Sequence, residues 1–399
     1  MNQFILIDHM KVQNANAVSG FTWGFPAITH FLGFVHNLSL KLGNEKSYQD
    51  TTLKGCAVVA HEYKVHTYKS YGDYRFTQSR NPPYLHGIEA AKKSETPPVI
   101  EEGKMNMTVS LLIGCDGNIG NRADGFRQWL KKACLLQRLA GGTLLDIANI
   151  NFHNPEDERD VRMIIRRILP GFVLRDRSQY LEDHYQELVE KNPDAELLDA
   201  WLDFSSLKQK ARPKSNLISK HLQELIKKEA DNQQVVQLVA CWHKHLEAPY
   251  EDWDIPEELK HYFCGLEDKK SNKKLLKQWQ DYCQPCEKTD ADWEYIKKPR
   301  TGYLVPIMIG YKAISQVYKN AEVRNTRDNK TDVCFVESVH SIGEWQSVHR
   351  LRTPKQLQEC LWDYQPYEEN WYLCKQGGET QADLNAPSIA QDENPEDDI

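Results

Sequence analysis

M-N-M-T-V-S-L-L-I-G-C, residues 105–115, is an uncharged, largely apolar run with small polar interruptions, the composition of a strand covered on both faces. Toward the N-terminus, Lys54 to Tyr68 is β-rich and alternating (Cys56, Val58, Val59, His61, Tyr63, Val65, Thr67). Before it, Pro26 sets up a helix start, since its missing N–H is harmless in a first turn. Ile28, Phe31, Leu32, Val35 and Leu38 then share one helical stripe, with Gly33 on another face where it would permit a close approach. Phe4 to Met10 reads as the first strand. Toward the C-terminus, the turn-rich Asp116 to Asn121 precedes Phe126, Trp129, Leu130, Ala133 and Leu136, a second amphipathic helix ended near Gly141-Gly142. Thr143 to Phe152 is the fourth strand. The order βαββαβ predicts an α+β fold with a ferredoxin-like core, which also underlies RNA-recognition (RRM) modules.

An irregular, Pro-containing excursion separates the second and third strands. From Pro155 to about Lys298 the pattern turns helical, with a strand-like interruption at Gly171 to Leu174, and Thr301 to Arg352 is strand-rich again. The expected organisation is a core over 1–154, a mainly helical insertion over 155–298, a returning β-rich segment over 299–376 that completes the core, and an acidic, disordered tail over 377–399.

The 399 residues are 40% hydrophobic and 27% charged, enough for a substantial core. No apolar run approaches the roughly eighteen residues of a membrane span, and no basic lead with a small-residue cleavage site precedes Phe4 to Ile7. A soluble, cytoplasmic protein is expected, its ten scattered cysteines reduced. The net charge of −7 reflects seven acids after residue 377; without them, 50 acids balance 50 bases. A basic, nucleic-acid-binding surface must therefore be local.

RNA-recognition modules stack bases on aromatics of their central strands, yet Phe4 to Met10 holds one aromatic and Met105 to Cys115 none. RNA would have to be held by loops and edges, and three segments have suitable chemistry. In the loop from Gln13 to Pro26, Asn14, Asn16, Ser19 and Thr22 offer polar contacts, Trp23 a stacking face, and the following helix start favours phosphate. The same residues would also make a rigid, Asx-rich turn. Tyr63 to Tyr84 interleaves aromatics with basic residues, Arg75 and Arg80 among them, as single-strand binders do; an ordinary ribbon covering the core is the alternative. Arg324, Arg327, Trp345, His349 and Arg350 form the third group, suited to phosphates and stacked bases or to a solvated loop. Lys270, Lys273, Lys274 and Lys277 share a helix face opposite Leu275, Leu276 and Trp279, a solvated face or a stripe near DNA.

His261-x2-Cys264 and Cys283-x2-Cys286 have zinc-ribbon spacing. Their helical, Lys-rich setting favours unliganded thiols, and no metal or other cofactor is expected. Asp116-Gly117-Asn118-Ile119-Gly120 opens like a calcium loop but lacks its later acids, so it reads as a turn. P-loop, G-x-S-x-G and HExxH motifs are absent.

Q-N-A-N-A-V-S-G-F-T-W-G-F-P-A (Gln13 to Ala27), F-x-x-x-R-N-P (Phe76 to Pro82), R-I-L-P-G-F-V-L (Arg167 to Leu174), G-Y-L-V-P-I-M-I-G-Y (Gly302 to Tyr311) and F-V-E-S-V-H-S-I-G-E-W (Phe335 to Trp345), followed by H-R-L, resemble a known family. It is that of the second Csy subunit of the type I-F CRISPR surveillance complex, a Cas-five-like RAMP protein. The resemblance implies a non-catalytic subunit that binds the 5′ handle of CRISPR RNA (crRNA). It further implies pairing with the large, Cas-eight-like subunit as the tail of the complex, contact with the first Cas-seven-like backbone subunit, and target DNA met through the complex. The helical segment between Tyr180 and Lys298 is longer than is usual for the family and the acidic tail is unfamiliar in it, so these two regions inherit no function. Some Cas-five relatives cleave repeat RNA without metal, so a repeat-RNA endonuclease using His30, His61 or His66 as general base is the rival reading. A zinc-dependent or duplex-gripping role for the insertion is a third.

Overall fold

The computed structural model describes residues 2–377 apart from 21, 81–98, 102, 118, 248–253, 268, 270–271, 327, 329 and 366–369. The acidic tail lies outside the described residues. Two compact units emerge, Met1–Ser205 with Lys298–Ile399, and Ser206–Lys297.

The first unit begins β1 (Gln3–Asn16), α1 (Ile28–Gly43), β2 (Thr52–Val65), β3 (Lys104–Asp116), α2 (Ala123–Leu135) and β4 (Gly142–His153). α3 (Glu158–Ile168), β5 (Phe172–Asp176), α4 (Ser178–Lys191) and α5 (Leu197–Ser205) follow. β6 (Leu304–Ala313), β7 (Val336–Ser347), a short helix Pro354–Glu359, β8 (Trp362–Gln365) and β9 (Tyr372–Gln376) complete it. Among the described residues one antiparallel sheet runs Arg138–Leu139, β4, β1, β3, β2, β5, β7, β6, β9, β8. Trp362 of β8 pairs back onto Cys56 of β2, so the later strands curl round to the middle of the sheet. The chain is α+β.

Phe4 to Ile7 of β1 and Leu111 to Ile113 of β3 are apolar at every position because both faces are covered there. Ile5, Ile7, Val109, Leu111 and Ile113 pack against Phe31, Leu32 and Val35 of α1 and Phe126 and Leu130 of α2. Phe4, Leu6, Ala57, Val59 and Leu112 meet Val161, Ile164 and Ile168 of α3 on the other face. α3 is built for this position: Asp157 accepts from the Arg159 N–H at its start, and its apolar residues recur at helical spacing. Burying each such side chain contributes about 1.5–3 kcal/mol.

Two local expectations are corrected. α2 stops at Leu135, leaving Leu136 73% exposed; the Ala140-Gly141 pair, both with positive φ, instead makes the two-residue turn from Arg138–Leu139 into β4. Gly33 sits on the solvent face of α1 with no atom within 4 Å of where a Cβ would stand, so it serves no close approach.

α4 and α5 pack on the β6/β7 part of the sheet, where Trp201 donates to the Ser341 carbonyl. In the second unit, α6 (Asn216–Lys228), α7 (Gln233–Glu247), α8 (Glu257–Cys264) and α9 (Lys273–Cys283) enclose Leu222, Trp242, Phe263 and Trp279. A ribbon of Gln209–Pro213 and Ala291–Tyr295 closes it.

Candidate nucleic-acid interface

The cover supplied by α3 stops partway along the sheet. Beyond it the same face turns polar, because β1 and β3 carry Lys11, Gln13, Asn106 and Thr108 at alternating positions. With Tyr63 and Lys64 from β2 they line a groove of about 560 Å³, to which Glu62 and Leu145 also contribute. Lys11, Gln13, Tyr63 and Lys64 are exposed. Asn106 Oδ1 is 3.1 Å from the donating Asn14 N–H and 3.2 Å from His66 Nε2. Two ammonium groups, two amides, a hydroxyl and a phenol ring are the inventory a single nucleotide strand needs: cations for phosphate, amides for base edges, a ring for stacking. Asn106 and Thr108 lay in a stretch read as a buried strand, Lys11 and Gln13 past the expected end of the first strand, and Tyr63 and Lys64 at the start of the aromatic and basic segment; the signal for the first two was the polar alternation Asn106, Thr108, Ser110 within an otherwise apolar strand.

The loop from Gln13 to Pro26 touches both of the other segments singled out in the sequence. Residues Val18–Ser19 and Thr22–Trp23 pair as a small ribbon. Trp23 stacks on Phe76 at 3.6 Å, joining the loop to the ribbon Thr67–Ser70/Asp73–Phe76. On the other side Ser19 Oγ accepts from the Met308 N–H at 3.3 Å, and Phe25 meets the edge of Trp345 at 4.8 Å. Gly20, with φ of +64°, lies so close to His340 that a Cβ would stand 2.2 Å from its ring, which only glycine allows. Tyr63 hydrogen-bonds Tyr303, whose phenol is pushed up by burial and then by Tyr63.

The expected contacts fare unequally. Asn14 is exposed, with the left-handed φ of 57° that asparagine tolerates. Asn16 closes an Asx turn on both backbone groups of Val18, at 2.9 and 3.1 Å. Ser19 is buried, and Thr22 Oγ donates to the Ser19 carbonyl at 2.8 Å. Trp23 and Trp345 are half-buried in the contacts above. Arg75 is exposed opposite Tyr68 on the ribbon. Arg80 pairs with Val99 through its backbone, its side chain lying outside the described residues. Arg324 is exposed in the loop after a 3-10 turn, and Arg327 lies outside the described residues. His349 and Arg350 are exposed, His349 Nδ1 being 2.6 Å from Ser347 Oγ.

The three histidines of the cleavage reading are each engaged separately. His30 is pulled down by burial, opposed by its contact with the Ala27 carbonyl. His61 is pulled down chiefly by burial and lies 2.8 Å from the Pro170 carbonyl and 2.7 Å from Ser110 Oγ. His66 faces Asn106.

In the second unit Lys273, Lys274 and Lys277 are exposed on α9 while Leu275 and Trp279 are buried; Lys270 lies outside the described residues. His261 and Cys264 end α8, Cys283 ends α9, and Cys286 follows in a turn. Among the described residues no group of three or more His, Cys, Asp or Glu side chains is placed to hold a metal ion, and no helix is long and apolar enough to cross a membrane.

The family model described as CRISPR-associated protein (Cas_Csy2) matches residues 5–224 and 215–374. CRISPR-associated protein Csy2 of Pseudomonas aeruginosa (strain UCBPP-PA14) is 29% identical over 375 residues, covering 90% of this chain and 90% of its own length. The matches run through both the sheet that carries the groove and the helical second unit, and the chain belongs to the Csy2 family of CRISPR-associated proteins.

Proposed function

We propose that this chain, a Csy subunit of the type I-F CRISPR machinery, is a non-catalytic RNA-binding subunit that grips the 5′ handle of crRNA in the groove on its sheet face. The observation that carries this reading is the groove itself: Lys11 and Lys64 for phosphates, Gln13 and Asn106 for base edges, and the exposed Tyr63 for stacking. The strand order β4, β1, β3, β2 with α1 and α2 on one face supports a ferredoxin-like, RAMP-type core. In the usual module the opposite face is the RNA platform; here α3 takes half of it, and the polar half is left to work with the flanking loop and ribbon.

Asn14, Trp23, Arg75, Arg324, His349 and Arg350 border the groove's segments as further contacts, with Arg80 and Arg327 assigned on sequence alone. Asn16, Ser19, Thr22 and Trp345 act by holding the loop and strand in place. In the assembled complex the chain pairs with the large, Cas-eight-like subunit and touches the first Cas-seven-like backbone subunit. Base pairing of the guide reads target DNA, and the Lys273, Lys274 and Lys277 face lies toward that DNA, with Lys270 assigned on sequence alone.

Co-expressing the chain with its partner subunits and a repeat-spacer transcript, then sequencing the RNA retained, tests the reading. Handle-bearing guide RNA should be recovered with the parent and depleted with Lys11→Ala/Lys64→Ala. Equal recovery from both would refute the groove as its site.

A further inference from the structure

Where the α3 cover ends and the groove begins, four polar side chains lock together. Asp8 and Ser110 are buried, at 5% and 0% exposure, inside an otherwise apolar sheet. His9 Nδ1 is 2.5 Å from Asp8 Oδ1, and the His9 ring stacks on His61 at 3.9 Å and 16°. The His9 N–H donates to Ser110 Oγ at 2.9 Å. To make these contacts His9 adopts φ of +46°, the left-handed region, where β1 slips register against β3 between Ile7 and Met10. A strained, polar, half-open cluster of this kind in a sheet interior is a functional-site signature.

The proton positions follow from the partners. The Pro170 carbonyl only accepts, so it takes the hydrogen of His61 Nδ1; the one Ser110 hydroxyl hydrogen has two acceptors in reach, Asp8 Oδ1 at 3.3 Å and His61 Nε2 at 2.7 Å, and the shorter contact is Ser110 donating to His61 Nε2. The Asp8 carboxylate likewise only accepts, so His9 carries its hydrogen on Nδ1. In the neutral ring His9 Nε2 is then a lone pair, with no hydrogen-bond partner among the described residues, on a ring 33% exposed. A lone pair repels phosphate oxygens and needs a donor. On a nucleotide strand the donor present at every residue, whatever the base, is the ribose 2′-hydroxyl. Lys11 stands two residues further along β1, roughly 7 Å away, a span that suits a ribose on His9 and a neighbouring phosphate on Lys11.

We propose that His9 is a specificity residue that accepts a hydrogen bond from one ribose 2′-hydroxyl, distinguishing RNA from DNA, with Asp8 as the positioning residue that fixes its tautomer. The inference rests on the groove being the RNA site.

Handle RNA carrying single 2′-deoxy substitutions, walked along its length, is titrated against the full chain by fluorescence anisotropy. One position should weaken parent binding about three- to tenfold, the range of one hydrogen bond. In His9→Asn, which keeps a residue tolerant of positive φ but whose shorter side chain places no acceptor where His9 Nε2 stands, the same substitution should cost less than twofold. Asp8→Asn, whose amide no longer dictates the tautomer, should fall between. Melting curves establish that both variants are folded. A deoxy penalty of parental size in either variant overturns the assignment. So does parent binding that tightens as pH falls with no 2′ position singled out, which is the behaviour of a protonated ring on phosphate. Lys11→Ala/Lys64→Ala run alongside separates the two levels: if it binds RNA as well as the parent, the groove reading fails; if it loses RNA while no 2′ position matters, only the role of His9 fails.

Discussion

Replacing Lys11 and Lys64 by alanine removes both cations that line the sheet-face groove and touches nothing that holds the sheet together. Both side chains are exposed, and among the described residues neither forms an ion pair, so stability should change by no more than about 0.5 kcal/mol. Binding should change in a defined way. Each lysine that neutralises a phosphate of a single strand contributes about 0.7 to the slope of log affinity against log salt. Losing two lowers the slope by about 1.4, so relative to 1 M salt the variant should be roughly 25-fold weaker at 0.1 M, close to 2 kcal/mol. Anisotropy titrations of a labelled handle RNA between 0.05 and 0.5 M potassium chloride measure both quantities, with Lys132→Ala on α2 as a surface control. An unchanged slope would refute the reasoning even if affinity fell, because it would mean that the lysines act on packing rather than on phosphate.

Other consequences follow from neighbouring features. Arg177 Nε lies 2.6 Å from Glu344 Oε2 with both side chains buried, so Arg177→Ala should cost about 3–5 kcal/mol in a urea titration by stranding the carboxylate. The Cys286 thiol is pulled down by the Thr289 hydroxyl and then by the Lys288 backbone; it should react with iodoacetamide at pH 7.5 faster than Cys264, which is also exposed, as read by peptide mass spectrometry. Lys273→Ala/Lys274→Ala/Lys277→Ala should leave guide-RNA binding at parental level and slow target-duplex association only at low salt; equal rates there would make this face a solvated one. Precursor repeat RNA incubated with the full chain, with or without divalent metal, should remain intact on a denaturing gel, and specific cutting lost in His61→Ala would reverse that expectation.

How far the sequence could be read depended on whether a residue's role was local. The strands and helices up to residue 153 are local patterns, and period-2 and helical spacing located them to within a few residues, with two exceptions: α2 stops at Leu135, short of Gly141, and the bulges of β1 at His9 and Asn14 carry it to Asn16, past the expected end at Met10. The missing aromatic platform was legible too, but not its reason, since no spacing announces that Val161, Ile164 and Ile168 pack on Phe4 and Leu6. The groove escaped notice because Lys11, Asn106 and Thr108 belong to different strands, united only by register. Asn16 and Ser19 read as contacts because amides and hydroxyls serve turns and ligands equally, and spacing does not show that their partners within the chain are Val18 and Met308.

The return of β7 to β5 sets an order on biosynthesis. β5 ends at Asp176 and its partner begins at Val336, with the whole second unit translated between them. At about 5–20 residues per second, β5 waits roughly 8–30 s on the ribosome with its outer edge unpaired. The Ser206–Lys297 unit, complete in sequence well before Val336, has time to fold during that interval, whereas the sheet closes only when Trp362 reaches Cys56. Chains that terminate early therefore release a protein with a finished helical unit and an open strand edge, the form most prone to aggregate, and slower translation across the second unit lengthens the exposure.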